Sequence, residues 1–279
     1  MSLAPSPAID SRSFDYLAAL VLKESAIVIE KTKTYLFESR LMPIARSHNL
    51  SDLDQLVEAL KRPGSTALVD SVIDAMTTNE TSFFRDLHPF NALRTHLIPE
   101  LIQKRSKERV LNIWSNACSS GQEVYSIAML LKENFPELAG WRVRLTATDL
   151  SKQILDKAQS GIFTQTEINR GLPMPMVLKY FKRNGVTWQI SDEIRKMVDF
   201  RVLNLVQPWP PSLPKMDIVF LRNVLIYFSV DTKKEILWKV HRNLQKDGVL
   251  LLGGAETTMN LDVPFERRVI DKTTGYFPI

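Results

Sequence analysis

A change of hydrophobic period near residue 108 limits the fold more than any other feature. Before it, "FDYLAALVLKESAIVIEKTKTYLFESRLMPIAR" keeps apolar residues three and four apart. "NLSDLDQLVEALKR" opens on a Ser/Asp cap and stops at "RPGS", and "STALVDSVIDAMT" carries the pattern on. Nothing alternates strand-fashion, so residues 10–75 are predicted to be a small helical bundle. After the change, short apolar runs and helical stretches take turns. "RVLNIWSNA" is a strand, "GQEVYSIAMLLKENF" a helix, "RVRLTATDLS" a strand ending in Asp149, and "SKQILDKAQSG" a helix stopped by Gly161. "KMDIVFLRNVLIYF" contains a strand, "DTKKEILWKVHRNLQKDG" is a helix and "GVLLLGG" a strand. This alternation predicts a doubly wound, parallel α/β sheet. "FERRVIDKTTGYFPI" predicts a terminal antiparallel hairpin around a Lys-Thr-Thr-Gly turn, and residues 180–202 a small antiparallel insert of two or three strands. The expected division is 1–75 helical, 76–90 linker and 91–279 α/β.

Composition narrows the setting. At 44% apolar the chain can bury a substantial core. Its single cysteine, Cys118, excludes an internal disulfide and suits a reducing, cytoplasmic compartment. "MSLAPSPAID" has neither a basic n-region nor an apolar h-region, so no signal peptide is read there, and no apolar run approaches the ~20 residues a membrane span needs. The net charge of +5 is uneven: residues 1–88 hold 9 Lys/Arg against 12 Asp/Glu, and the remainder is strongly basic. The second part therefore favours an acidic partner. "KRSKER" (104–109) reads as a solvated helix end before a strand.

In an open parallel sheet, ligands bind beyond the carboxyl ends of the strands. Four stretches fall there. "NACSSGQE" (116–123), rich in small residues, opens a helix and lets a ligand approach backbone, but it lacks the full G-x-G-x-x-G of a pyrophosphate site. Asp149 can hold both hydroxyls of a ribose. "VLNL" (202–205) offers Asn204 to an adenine edge, and "RNVLIYF" (222–228) follows the next strand. A ribose-binding acid without a phosphate cradle suggests a nucleoside cofactor that has no phosphates, and S-adenosyl-L-methionine fits. Upstream, "MTTNETSFFRD" (76–86) reads two ways: Thr/Ser/Asn capping a helix start, or a polar pocket wall anchored by Phe83 and Phe84.

Over nearly its whole length the chain resembles the CheR family of chemotaxis receptor methyltransferases. The resemblance rests on "TTNETSFFRD", "ACSSGQEVYSIA", "ATDLS", "NLV" and "FLRNVLIYF". It implies a Rossmann-like methyltransferase sheet with terminal hairpin and small β insert, preceded by an all-α receptor-recognition domain, with the linker contributing to the cofactor site. It implies methyl transfer from S-adenosyl-L-methionine to glutamate carboxylates of chemoreceptors, leaving S-adenosyl-L-homocysteine, in chemotactic signal transduction and adaptation. By motif, Asn79, Thr81, Arg85, Ala117, Glu123, Asp149, Asn204, Leu205, Arg222 and Asn223 would bind cofactor. Arg85 is suited to its carboxylate, and Glu123 to its amino group. Arg85 and Tyr227 would be catalytic, with Tyr227 beside the incoming glutamate. Lys33, Arg40 and Arg46, with Lys31 near them, would meet the acidic methylation region of the receptor, the bland reading being a solvated face. Where the family reads Gly-Glu-Glu, this chain reads "GQE". Where pentapeptide-tethering members have a longer glycine-bearing loop, it has only "RNGVTW", which predicts pentapeptide-independent recognition.

A glutamate, with a reference pKa of about 4.3, is already an anion at neutral pH and needs no general base. His48, His88, His96 and His241 show no base or metal-ligand spacing, and Cys118 has no histidine near it in sequence. The expected partner is the cytoplasmic region of chemoreceptors, with no metal, no nucleic acid and no membrane insertion, and the expected state a monomer. Rival readings are a cofactor-binding sensor or scaffold without catalysis, a methyltransferase on nucleic acid, and one acting on small molecules.

Overall fold

The computed structural model describes residues 9–279. The first eight residues, part of the predicted helical domain and of the stretch read for a signal peptide, lie outside the described residues. The described chain forms two compact units. One comprises the residues up to Thr78 together with Tyr227–Ser229, and the other Asn79–Ile226 with Val230–Ile279.

The first unit is helical, with α1 (Ser11–Ser25), α2 (Thr34–Ser47), α3 (Leu53–Leu60) and α4 (Thr66–Met76). Ala26, at φ 57°, turns the chain out of α1. Asp52 caps α3 by accepting from the Gln55 N–H at 2.8 Å. The apolar periodicity becomes one core: Phe14, Leu17 and Val21 of α1, Phe37, Leu41 and Ala45 of α2, Leu56 and Val57 of α3, and Val72 and Met76 of α4 are all buried. Phe14 meets Phe37 edge-on, 5.2 Å between ring centres.

The second unit starts with α5 (His88–Ala92) and α6 (Ile98–Lys104), joined by a widened helical turn. The sheet and its helices follow: β1 (Val110–Asn116), α7 (Gln122–Asn134), β2 (Arg142–Asp149), α8 (Lys152–Ser160), β3 (Ile162–Thr164), α9 (Gln165–Asn169), α10 (Met174–Tyr180), β4 (Phe181–Asn184), β5 (Thr187–Ile190), α11 (Asp192–Arg195), β6 (Val198–Val202), β7 (Met216–Leu221), α12 (Val230–Asn243), β8 (Leu244–Leu252), β9 (Phe265–Ile270) and β10 (Thr273–Pro278). Seven strands form the main sheet in the order β6-β2-β1-β7-β8-β10-β9. The first five run parallel, and β10 and β9 are antiparallel. All of β7 is buried, as befits a central strand covered on both faces. Strand order reverses at β1, so the crevice beyond the ends of β1 and β7 is the topological switch point.

Three details differ from the sequence reading. Residues 180–202 are not one insert. Thr187–Ile190 pairs with β3 on one side and with Phe181–Asn184 on the other in a separate three-stranded antiparallel sheet, but Val198–Val202 is the parallel edge strand of the main sheet. "VDFRV" is exposed along much of its length, as an edge strand is, and so resembles a half-solvated insert strand. The terminal hairpin turns at Asp271–Lys272, not over Lys-Thr-Thr-Gly: Asp271 takes φ 52°, which Asp tolerates, and Thr273 is already paired with Ile270. Finally, α12 ends at Asn243, and β8 begins at Leu244 rather than at Gly248.

Candidate active site

The candidate site is built on the "MTTNETSFFRD" stretch and the ends of β1, β2, β6 and β7. No helix begins in residues 77–87, so the capping reading fails. Thr77 instead closes α4, its hydroxyl donating to the Asp74 carbonyl at 2.7 Å. Phe84, Asp86 and Leu87 all have positive φ (48°, 65° and 43°), which a helix cannot accommodate. The loop is pinned by its aromatics. Phe83 is fully buried, edge-on to Phe163 at 5.1 Å and to Phe181 at 5.7 Å, and Phe84 meets Phe90 at 5.2 Å. The Phe84 N–H donates to Ser126 Oγ at 3.0 Å, Ser119 Oγ donates to the Asn79 carbonyl at 2.8 Å, and Arg85 donates to the Glu80 carbonyl at 2.9 Å. Asn79, Thr81 and Arg85 are thus half-buried on a held loop.

After β1 the chain makes a tight turn. Ala117 (φ 50°), Ser119 (φ 52°) and Gly121 (φ 91°) are left-handed. A Cβ on Gly121 would sit 3.1 Å from both Ala158 and Tyr125. Asp149, 7% exposed at the end of β2, accepts from the Ser119 N–H at 2.9 Å and from the Ser151 N–H at 3.1 Å. It therefore ties the turn to its own strand end, and a carboxylate can accept more than one hydrogen bond on each oxygen. Trp114 Nε1 donates to Thr148 Oγ1, which donates to Asn116 Oδ1, both at 3.0 Å. Asn116 Nδ2 is buried without a hydrogen-bond partner at this strand end. Asn204 folds back to accept from the Val206 N–H at 3.1 Å. Lys239 holds the Leu205 carbonyl at 2.7 Å, and Trp209 packs edge-on to Trp114 at 4.9 Å.

Arg222 joins two of these pieces. Its side chain is 1% exposed, donating to Glu123 at 2.9 Å, to Asp86 at 2.6 Å and to the Arg85 carbonyl at 3.1 Å. Glu123 also accepts from Ser115 Oγ at 2.8 Å. Glu123 and Arg222, read from sequence as separate cofactor contacts, form one ion pair that fixes the loop carrying Arg85. Burying an ion pair is costly unless its atoms are hydrogen-bonded, and these mostly are.

Sequence reasoning missed Glu256. Its carboxylate accepts from the N–H groups of Asn223 (2.7 Å), Val224 (2.9 Å), Leu225 (2.7 Å) and Gly253 (2.8 Å), holding the strand-end loop in which Asn223 adopts φ 59°. The only signal was an acid after a Gly-Gly pair at a strand end. Cys118 is buried, and burial, with Asp149 and Glu123 nearby, pushes its thiol well above the ordinary range, against a thiolate role.

The cations expected from sequence to meet the receptor have different local roles. Lys31 and Lys33 precede α2 in a short 3-10 turn, paired with Asp15 and Glu30. Arg40 caps α4, donating to the Met76 carbonyl at 2.8 Å and to Thr78 Oγ1 at 3.1 Å. Arg46 is exposed. Tyr227 ends the short turn Leu225–Tyr227, and its carbonyl accepts from the Val28 N–H at 3.2 Å. Among the described residues no helix is long and apolar enough to cross a membrane, and no cluster of His, Cys, Asp or Glu is arranged to hold a metal ion.

The donor set fits a nucleoside with an amino-acid tail. Asp149 can accept ribose hydroxyls, the left-handed turn presents backbone, Asn116 Nδ2 has an unused donor, and Arg85 supplies a guanidinium for a carboxylate. Comparison with known proteins agrees. Residues 79–274 match the family model described as CheR methyltransferase, SAM binding domain, and residues 12–77 the one described as CheR methyltransferase, all-alpha domain. The chain is 40% identical to chemotaxis protein methyltransferase 1 of Pseudomonas aeruginosa over 89% of this chain and 91% of the relative. It is 39% identical to chemotaxis protein methyltransferase Cher2 of Pseudomonas putida over the same shares. Identity to the chemotaxis protein methyltransferase of Vibrio anguillarum is 38%, over 87% of this chain and 88% of the relative. The strand-end acid, the phosphate-free turn, the pinned aromatic loop and these matches converge: the chain belongs to the CheR methyltransferase family and uses S-adenosyl-L-methionine.

Proposed function

We propose that this protein transfers methyl from S-adenosyl-L-methionine to glutamate side-chain carboxylates of chemoreceptors, giving methyl esters. The observation that carries this reading is the loop 76–86, whose buried phenylalanines hold Arg85 beside the Glu123–Arg222 pair. Relatives matched along most of the chain bear the name chemotaxis protein methyltransferase.

When bound, the cofactor supplies an electrophilic methyl group. The protein's share of the chemistry is alignment. Asp149 takes ribose hydroxyls, Asn204 and Leu205 flank the base, and Asn79, Thr81 and Ala117 line the cofactor. Arg85 takes the carboxylate of the amino-acid tail. The Glu123–Arg222 pair keeps Arg85's loop and the β7 end in register, and Asn223 lies on the segment that Glu256 clamps. The acceptor carboxylate is already ionised, so no proton has to be removed, and the hydroxyl of Tyr227 orients it. Rate comes from near-attack geometry and from water exclusion around the anion. Of the cations assigned to the receptor, Lys31, Lys33 and Arg46 are exposed and open to an acidic helix, while Arg40 acts through α4. The β4–β5 turn is only Gly185–Val186, which supports recognition without a pentapeptide tether.

The test offers labelled S-adenosyl-L-methionine to the purified protein with receptor-bearing membranes or with RNA. Label on a receptor band is expected. Label on RNA overturns the substrate class, and cofactor binding without transfer favours a sensor.

A further inference from the structure

A second cleft, of about 420 Å³, opens at the same end of the sheet, walled by the end of β8, the β9–β10 hairpin, the start of α5 and Arg222. Its charge is lopsided. Both acids in its walls are already engaged: Asp86 with Arg222, and Glu256 with four backbone N–H groups. Its two rim cations are not. Arg267 and Lys272 are exposed, and among the described residues neither forms an ion pair. Arg267 reaches only Thr274 Oγ1, at 3.5 Å. Arg222 lines the inner wall, its guanidinium held by Asp86 and Glu123. Leu252, Met259 and Tyr276 give the cleft apolar lining for an aliphatic stem. Free cations at the rim and apolar walls beside them suit an acidic side chain.

We propose that this cleft is a subsite for a second carboxylate of the polypeptide being methylated, a glutamate or aspartate flanking the acceptor. This rests on the proposed function and goes beyond it. The cleft shares Arg222 with the cofactor site and lies beside Asn223 through Glu256, so a chain segment presenting one carboxylate to the β7 end carries its neighbour towards Arg267 and Lys272. The enzyme thereby reads the charge of the flanking residue: an acidic neighbour binds the cations, and an amidated or esterified one does not.

The experiment uses the full protein, labelled S-adenosyl-L-methionine and the cytoplasmic fragment of one of the organism's chemoreceptors. A second fragment has the carboxylates within two helical turns of the acceptor changed to Gln. Wild type and the Arg267→Gln/Lys272→Gln variant are compared on both. For wild type, KM should rise about fivefold from the acidic to the neutralised fragment, the scale of partly exposed ion pairs. The variant should show the raised KM on both, with no further effect of neutralisation, while still binding S-adenosyl-L-homocysteine. A variant that discriminates between the fragments as wild type does, or whose effect simply adds to neutralisation, overturns the subsite. No transfer to either fragment overturns the receptor reading itself and this proposal with it.

Discussion

Glu256 shows how one side chain sets the shape of a strand-end loop through backbone alone. Four backbone N–H groups converge on its two oxygens, and Gly253 leaves room, since a Cβ there would sit 2.7 Å from Asn223 Nδ2. Glu256→Ala strands those donors. Stability should fall by about 3 kcal/mol, the penalty of leaving buried groups unsatisfied, read as a shift of the urea midpoint at unchanged slope. Two further variants test the assignment by motif. Arg85→Ala removes the charged partner of a carboxylate and should weaken S-adenosyl-L-homocysteine binding by about tenfold or more in calorimetry. Tyr227→Phe should lower kcat while leaving that affinity nearly intact. If both variants behave as wild type, the assignment falls. At this scale the sequence was only partly legible. Asp149 stood out because strand-end acids are few. The Glu123–Arg222 pair did not, because 99 residues separate its members, and Glu256 had no motif around it.

At the scale of elements, the loop 76–86 and the small sheet are one construction. Phe83 packs edge-on against Phe163 of β3 and Phe181 of β4, and Gly171, at φ 89°, brings its backbone against the Phe83 carbonyl. A Cβ at Gly171 would lie 2.1 Å from that oxygen. Gly171→Ala should therefore cost about 3 kcal/mol in urea unfolding and loosen cofactor binding. Gly185→Ala, at φ 59° with nothing within 4 Å, should cost only about 1 kcal/mol. Equal effects at the two glycines would show that Gly171 does not hold the loop. The parallel strands were legible from sequence because burial on both faces writes continuous apolar runs. β6 was not, because an edge strand alternates like a solvated hairpin. The helix-cap reading of residues 76–86 failed because backbone conformations at Phe84, Asp86 and Leu87 are set by the tertiary anchors, which local sequence does not display.

For the whole molecule, stability and function are anchored at opposite ends of the sheet. At the end away from the site, Arg105 at the close of α6 binds Asp217 of β7 at 3.0 Å and Asp247 of β8 at 2.5 Å, and Asp217 accepts from the Asn112 N–H of β1 at 2.8 Å. The Arg105 hydrogen bond holds the Asp247 carboxyl below its ordinary range, whereas burial pushes Asp217 upwards. A folded pKa below the unfolded value gives stability that is present above about pH 3.9 and lost as pH falls through the folded value. Asp217 works in the opposite direction, its contribution lost as pH rises through its raised folded value. Asp247→Asn should thus cost about 1 kcal/mol at pH 7, discounted for the exposure of Asp247, with the gap to wild type closing in acid. A gap that does not change with pH contradicts this account. The uneven charge is a whole-molecule property too: the basic α/β part carries the cofactor site and the cationic cleft, consistent with an acidic protein substrate.

The bond formed distinguishes a carboxyl methyltransferase from one acting on nitrogen or carbon. Receptor protein labelled by this enzyme from methyl-labelled S-adenosyl-L-methionine should be treated with mild alkali and the volatile methanol counted. Release of most of the label as methanol is the predicted result, because a glutamate methyl ester hydrolyses under those conditions. Label that stays on the protein would mean methylation at nitrogen or carbon, and would contradict the carboxylate reading.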